Sequence, residues 1–305
     1  MRLYYEGTDI TDDVRIAGAV HRDAAGGRCD ALELTLERAD DWYRWGPQRD
    51  DEIRIVHDGY DTGRLYLNTV LPENNKYRIL ATGMKSAARR QANAAYMNVT
   101  LSTLFGVCAA ECGMEAELYG FDGDLDYPFV LRQNEGCAAF LHRLMQWEGG
   151  VLKTFDGRFV GISCAYAQSL SAAQTLKISA QQAGFAYRRR EDAEYCGIKI
   201  ETPYAEAAAI DADAAGDNAP VINHLPALSA AQAGRWARGL LLTHNRQAEE
   251  ASVQSVFNRG LTAMARVDVE SSTPAAGEWL VEEATHDFVR KSSAARMLRC
   301  RNGIR

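Results

Sequence analysis

The stretch RQNEGCAAFLHRLMQWEGGVLKTFDGRF, from Arg132 to Phe159, gathers Cys137, His142, Glu135 and Glu148 around one apparent helix. A thiol near an imidazole is the raw material of a nucleophile activated by a base. Two carboxylates are the raw material of glycoside hydrolysis, if a cleft holds them face to face. Sequence spacing places neither pair in such a geometry. Glu135 reads as a first-turn acid favourable to the helix dipole, and Glu148 as a residue at the exposed end of the helix. His142 sits beside Arg143 near the apolar stripe, the position of a flank residue at a partner contact.

Other chemistries fare no better. The remaining histidines are His21, His57, His224, His244 and His286, and no two form HxH or HExxH. His286 falls in a strand-like run and reads as a packed, hydrogen-bonded imidazole. Asp122, Asp124 and Asp126 open like a calcium loop, but its sixth position is Tyr127 and its twelfth is Gln133, where glycine and a bidentate glutamate are needed. Cys108 and Cys112 are four apart without a second ligand pair, and read as small buried residues. Neither GxxxxGK[ST], GxGxxG nor GxSxG occurs. The expectation is no enzyme, no catalytic, cofactor-binding or metal-binding residues, and no cofactor.

The chain of 305 residues is long enough for more than one folded unit, and its 47% hydrophobic and 25% charged residues are ordinary for a globular protein. A net charge of −7 argues against a general nucleic-acid or anionic-membrane binder. Arg188, Arg189 and Arg190, followed at once by Glu191 and Asp192, read as a solvated strand end or turn. Seven scattered cysteines without a CxxC pair fit free thiols in a reducing compartment. No apolar run approaches a membrane span, and the start lacks a signal-peptide core, so a cytoplasmic origin without membrane insertion is expected.

The elements that would position these residues follow from periodicity. In ALELTLE, Leu32, Leu34 and Leu36 alternate with Glu33, Thr35 and Glu37, a half-buried strand. EIRIVHDGYDTGRLYLNTV and PENNKYRILATG add strands and turns, so the first ninety residues suggest a small barrel or sandwich. Near residue 92 the pattern changes: Thr100 caps a helix with Leu101, Leu104, Phe105, Cys108 and Cys112 on one face, closed by Gly113. Asn134 is the expected cap of a second helix, with Cys137, Phe140, Leu141, Leu144 and Met145 on one side and Gly149-Gly150 at its end. VLKTF-DG-RFVGI then predicts a two-residue hairpin in which Phe155 faces Arg158 and Val151 faces Ile162. After about 166 β character returns. EAAAIDADAAGDNAPVINHLP reads as a linker, Ser229 caps a helix striped by Ala233, Trp236, Ala237, Leu240 and Leu241, and Leu261 to Val269 alternates as a strand. GEWLVEEATHDFVRKSSAARMLRCR closes the chain as two strands.

These markers carry a resemblance. MRLYYEGTDITDDVRI, VTLSTLFGVCAAECGMEAEL, LRQNEGCAAFLHRLMQWEGGVLKTFDGRFVGIS and GEWLVEEATHDFVRKSSAARMLRC occur in the order seen in the contractile-tail baseplate hub family. That family includes phage late control protein D and the hub part of type VI secretion spike proteins. The third segment is the nearest match: Gln133, Glu135, Phe140-Leu141, Arg143-Leu144, Gly149-Gly150 and the hairpin fill the family pattern. The segment from about 205 to 260 is the least similar.

The resemblance implies an α+β, mainly β fold with two tube-type barrels flanking a helix–hairpin unit. On that division residues 1–92 are the first barrel, 93–165 the helix–hairpin unit, and 166–305 the second barrel with a helical insertion at about 205–260. It implies a trimeric ring of six barrels that adapts a sixfold tail tube to a threefold spike. The implied partners are a homotrimer, a separate spike protein, the tail tube protein and baseplate wedge or other tail proteins, with DNA only as passing cargo. The implied location is the baseplate of a virion or phage-like tail, assembled in the bacterial cytoplasm. Two other readings stand beside it: a tail-tip cell-wall hydrolase built on Cys137 and His142, and a receptor- or carbohydrate-binding tail module using Trp42 and Trp45.

Overall fold

The computed structural model describes the chain apart from residues 39–44, 74, 122–124 and 180, so Trp42, Asp122 and Asp124 lie outside the described residues. The fold is mainly β, as expected. The first part supplies β1 (Arg2–Tyr5), β2 (Thr8–Asp9), β3 (Arg15–Ala24), β4 (Ala31–Glu37), β5 (Glu52–His57), β6 (Tyr60–Asp61), β7 (Leu65–Glu73) and β8 (Lys76–Thr82). Period-2 alternation drives them: Leu32, Leu34 and Leu36 are buried with Ile53, Ile55, Tyr77 and Ile79 in one core. Trp45 packs at its margin, edge-on to Tyr5 at 5.7 Å.

The middle comprises β9 (Ala92–Thr100), α1 (Leu101–Cys112), β10 (Glu115–Tyr119), β11 (Asp126–Glu135), α2 (Cys137–Trp147), β12 (Gly150–Phe155), β13 (Arg158–Ser163) and α3 (Cys164–Ser169). Thr100 caps α1 by accepting from the Thr103 amide, and Gly113 ends it at φ 62°. The β12–β13 hairpin has the expected register, Phe155 against Arg158 and Val151 against Ile162. Asn134 is not the cap of α2. The chain takes a left-handed step at Asn134 (φ 52°), and Gly136 occupies the cap without a side-chain acceptor. A Cβ at Gly136 would stand 2.6 Å from the Ala88 carbonyl oxygen, so close backbone approach selects glycine there over a capping side chain.

The rest supplies β14 (Gln174–Lys177), β15 (Phe185–Arg189), β16 (Gly197–Glu201), β17 (Glu206–Ile210), β18 (Val221–Ile222), α4 (Ala230–Asn245), β19 (Glu249–Val256), β20 (Arg266–Glu270), β21 (Gly277–Asp287) and β22 (Ser292–Arg299). The expected strand from Leu261 begins only at Arg266, because Met264 adopts φ 68° and breaks the pleat. The expected linker instead forms β17 and β18 on either side of β16. Its alanines serve packing: Ala209 is buried and Ala207 half-buried against the α4 face of Ala233, Trp236 and Ala237. Small side chains let helix and sheet approach closely.

Strands from both ends of the chain share one large sheet, in the order β15-β19-β22-β21-β3-β4-β8-β7-β5-β1-β2. The join is the antiparallel pair β21–β3, which sets His286 against His21. Separate cores lie on either side of it. One is enclosed by β1–β8, the other contains Val253, Leu261, Val267, Trp279, Val281 and Met297. A third core unites α1, α2 and α4 with Ile198 and Ile200 of β16. Among the described residues no helix is long and apolar enough to cross a membrane.

Candidate functional site at the seams between the cores

The reactive set suggested by sequence is taken apart by the fold. Cys137 begins α2 fully buried, in the same core as Cys108 and Cys112. His142, half-buried, faces away toward Gly27, where its Nε2 would touch an added Cβ at 2.9 Å. Thiol and imidazole therefore serve different surroundings. Cys108 and Cys112 are buried, as read from sequence. That Cys137 joins them was not foreseen, since α1 and α2 meet only in the fold. Hydrogen bonds from those two thiols lower the Cys137 thiol, while theirs are pushed up. Among the described residues, no group of three His, Cys, Asp or Glu is placed to hold a metal ion.

The two glutamates are each held by an arginine. Glu135 accepts from Arg143 at 2.9 and 2.6 Å, and that guanidinium lies 4.8 Å over the Trp147 ring. Glu148 is not at an exposed end: its side chain is 1% exposed. Its Oε1 accepts from Tyr127 Oη at 2.6 Å and Trp236 Nε1 at 2.8 Å, and its Oε2 from Arg235 Nε at 2.7 Å. The helix end is covered by α4, which sequence periodicity could not place. A carboxylate that accepts three hydrogen bonds is a structural acceptor, with no free oxygen for acid–base work.

What the fold brings together instead is a set of buried charges between units. Lys153, from β12, donates to both Asp30 oxygens at 2.8 and 2.9 Å and also to Asp23. All three residues are at least nine-tenths buried. Asp23 Oδ2 further accepts from the Ala263 amide at 3.0 Å, and Asp30 Oδ1 from the Ala24 amide at 3.0 Å. One ammonium thus ties the hairpin to the first strands and, through Asp23, to the segment before β20. Burial, with Asp23 close by, pushes the Asp30 carboxyl up to about 7 against the pull of Lys153. Burial is also the largest influence on Asp23, but there Lys153, His21 and the Ala263 amide together outweigh it and hold the carboxyl below its ordinary value. The pair shares one cation and titrates as a unit.

Beside it lies an aromatic seam. His21 Nδ1 lies 3.0 Å from Tyr60 Oη, and Tyr60 packs 4.5 Å from the His286 ring. His286 is fully buried: Nε2 donates to the Leu261 carbonyl at 3.0 Å, leaving Nδ1 to accept from Ser293 Oγ at 2.8 Å. Both ring nitrogens have partners, which bears out the packed, hydrogen-bonded imidazole reading. His57 sits edge-on to Phe257 at 5.0 Å and Phe288 at 5.5 Å. Desolvation holds His21 down to about 3 and also lowers His57 and His286. A third tie joins Arg246 to Glu282 and to Cys164 Sγ at 3.1 Å, all buried.

Sequence reasoning missed these residues. A faint signal existed: Lys153 interrupts the buried run of β12, and Asp23 and Asp30 flank the AAGG turn. The arrangement fixes three cores relative to one another.

The sequence matches no protein-family profile and no curated protein. Solved structures do resemble it. A tail protein from Neisseria meningitidis superposes with a TM-score of 0.74 at 10% identity, covering 98% of this chain and 95% of that one. The 43 kDa tail protein of prophage MuSo2 from Shewanella oneidensis gives 0.70 at 13% identity, covering 98% and 97%. An Escherichia coli type VI secretion component, itself described as similar to bacteriophage T4 tail proteins, gives 0.62 at 10%, covering 97% and 76%. Over almost its whole length, this chain has the fold of phage tail proteins and of a type VI secretion component.

Proposed function

We propose that this chain is a structural baseplate hub of a phage-like contractile tail, forming a trimeric ring that adapts a sixfold tube to a threefold spike. The observation that carries the reading is the end-to-end match to the Neisseria tail protein, which covers 98% of this chain and 95% of that one. Two separate sheet-enclosed cores support a division into barrels at 1–92 and 166–305, with 93–165 as the helix–hairpin unit. Much of the insertion at about 205–260 packs on that unit: Ala209, Trp236 and Leu241 share its core. In this reading the chain works by assembly, without catalysis, cofactor or metal. Its partners are two further copies, a separate spike, the tube protein and other tail proteins, with DNA only passing through. It acts in the tail baseplate after assembly in the bacterial cytoplasm.

Pre-set geometry is what an adapter needs, and buried ion pairs between units supply it at the cost of desolvation. Rings closed by heterologous contacts leave strand edges and exposed apolar residues such as Phe155 for neighbours. Averaged electron-microscope images of the purified chain test the proposal. Rings with threefold symmetry and six similar lobes are expected; single particles alone, both with and without the cognate spike, would contradict it.

A further inference from the structure

Between the AAGG turn of the first sheet and the start of α2 lies a cavity of about 440 Å³. Its walls are largely apolar, with Met84, Ala88, Ala138 and Leu152 among them. That volume falls within the range of roughly 300–1,000 Å³ typical of small-molecule sites. Four polar features converge on it. The N-terminus of α2 opens there through Ala138 and Ala139, and no side chain caps it. Thr154 lines the cavity at 2% exposure, and its Oγ1 has no hydrogen-bond partner. His142 lines it with a buried Nδ1 that is also unpartnered. Arg89 lines it and donates to Thr82 Oγ1 at 3.1 Å, but among the described residues it pairs with no carboxylate. The carboxylate at the rim, Glu135, is already taken by Arg143.

Unsatisfied buried donors and acceptors cost free energy, so their convergence on an apolar cavity points to an occupant that would satisfy them. A helix N-terminus and a guanidinium without a carboxylate partner both favour an anion. Thr154 and His142 can each donate or accept, which suits the oxygens of a planar acid. The glycine at 136 lets the Ala88–Arg89 backbone lie against the helix start, so Arg89 and the first amides of α2 border the same side of the cavity.

We propose that this cavity binds a ligand consisting of one carboxylate on a compact apolar body, the carboxylate at the α2 N-terminus with Arg89 and the body against Met84 and Leu152. Two sources share that chemistry: a free monocarboxylate, or the C-terminal residue of a peptide. The site stands independently of the hub reading.

Calorimetric titration of the full chain decides it. The probes are 4-methylpentanoate, 4-methylpentanamide, and acetyl-Ala-Leu with either a free or an amidated C-terminus. At least one acid is expected to bind about tenfold or more tighter than its amide, the scale of a hydrogen bond to a charged group. Arg89→Gln, at an exposed position, should erase that difference while the melting temperature stays unchanged. Preference for the peptide acid assigns a chain terminus as the source, and preference for 4-methylpentanoate a small molecule. Absence of binding at millimolar concentration, equal binding of acid and amide, or an Arg89→Gln variant that binds as the parent would each overturn the proposal.

Discussion

Replacing Lys153 by methionine removes the ammonium and leaves an unbranched apolar side chain one atom shorter. Asp23 and Asp30, 4% and 1% exposed, then face each other in the seam without a cation. Breaking a buried ion pair by deleting one partner costs about 3–5 kcal/mol, because the remaining charge stays desolvated. The protein has an alternative, since the carboxyls can take up protons. Burial already pushes Asp30 up to about 7 with the lysine present; without it Asp30 rises further and Asp23 rises from its depressed value. A carboxyl whose folded-state pKa is raised favours folding below its unfolded pKa, and that contribution is lost as pH rises through the folded value. The Lys153→Met penalty should therefore be near its full size at pH 8 and shrink toward pH 5, by up to about 1.4 kcal/mol per pH unit for each proton taken up. Urea unfolding monitored by tryptophan fluorescence at pH 5, 6.5 and 8 measures it. Adding Asp23→Asn and Asp30→Asn should restore much of the loss and remove its pH dependence. A penalty under about 1 kcal/mol at pH 8, or one independent of pH, would refute the view that this triad ties the units together.

Three further outcomes follow from the same geometry. Glu148→Gln turns one of the two acceptor oxygens into an N–H₂ that must face either Arg235 or the Tyr127–Trp236 pair, and should cost about 2–4 kcal/mol in urea unfolding, with a shift in tryptophan emission. Gly239→Ala would put a Cβ 2.1 Å from the Trp147 carbonyl oxygen, so the α2–α4 contact must spread, at a cost of at least about 2 kcal/mol in melting experiments. His21, buried and held down to about 3, contributes stability that is complete above its unfolded pKa of 6.5 and is lost as pH falls toward 3. His21→Phe should flatten the acid limb of the stability–pH curve between those values by up to one proton; an unchanged slope would mean that His21 already carries its proton in the folded chain.

Local chemistry was legible in the sequence wherever one turn or one face decided the structure. Asp156-Gly157 set the hairpin register, Thr100 and Ser229 capped their helices, and the leucines of β4 chose their face. Where a neighbour distant in the chain decided the outcome, the sequence was silent. Glu148 looked terminal because α4, which buries it, begins more than eighty residues later. The alanines at 207–209 looked like a linker because what calls for small side chains is the approach of a helix, not any feature of the strand itself. The buried charges were the least readable. Lys153 stood out among apolar neighbours, but Asp23 and Asp30 are 130 and 123 positions away. The join of the two sheet halves has the same character, since Arg28 meets Glu283 across 255 positions.

The central claim is assembly in threes, and the absolute mass of the purified chain by light scattering over a concentration series tests it most directly. The account predicts a species of three times 33.6 kDa, either alone or once the cognate spike is added. A mass that stays at one chain throughout, with the spike present as well as absent, would contradict it.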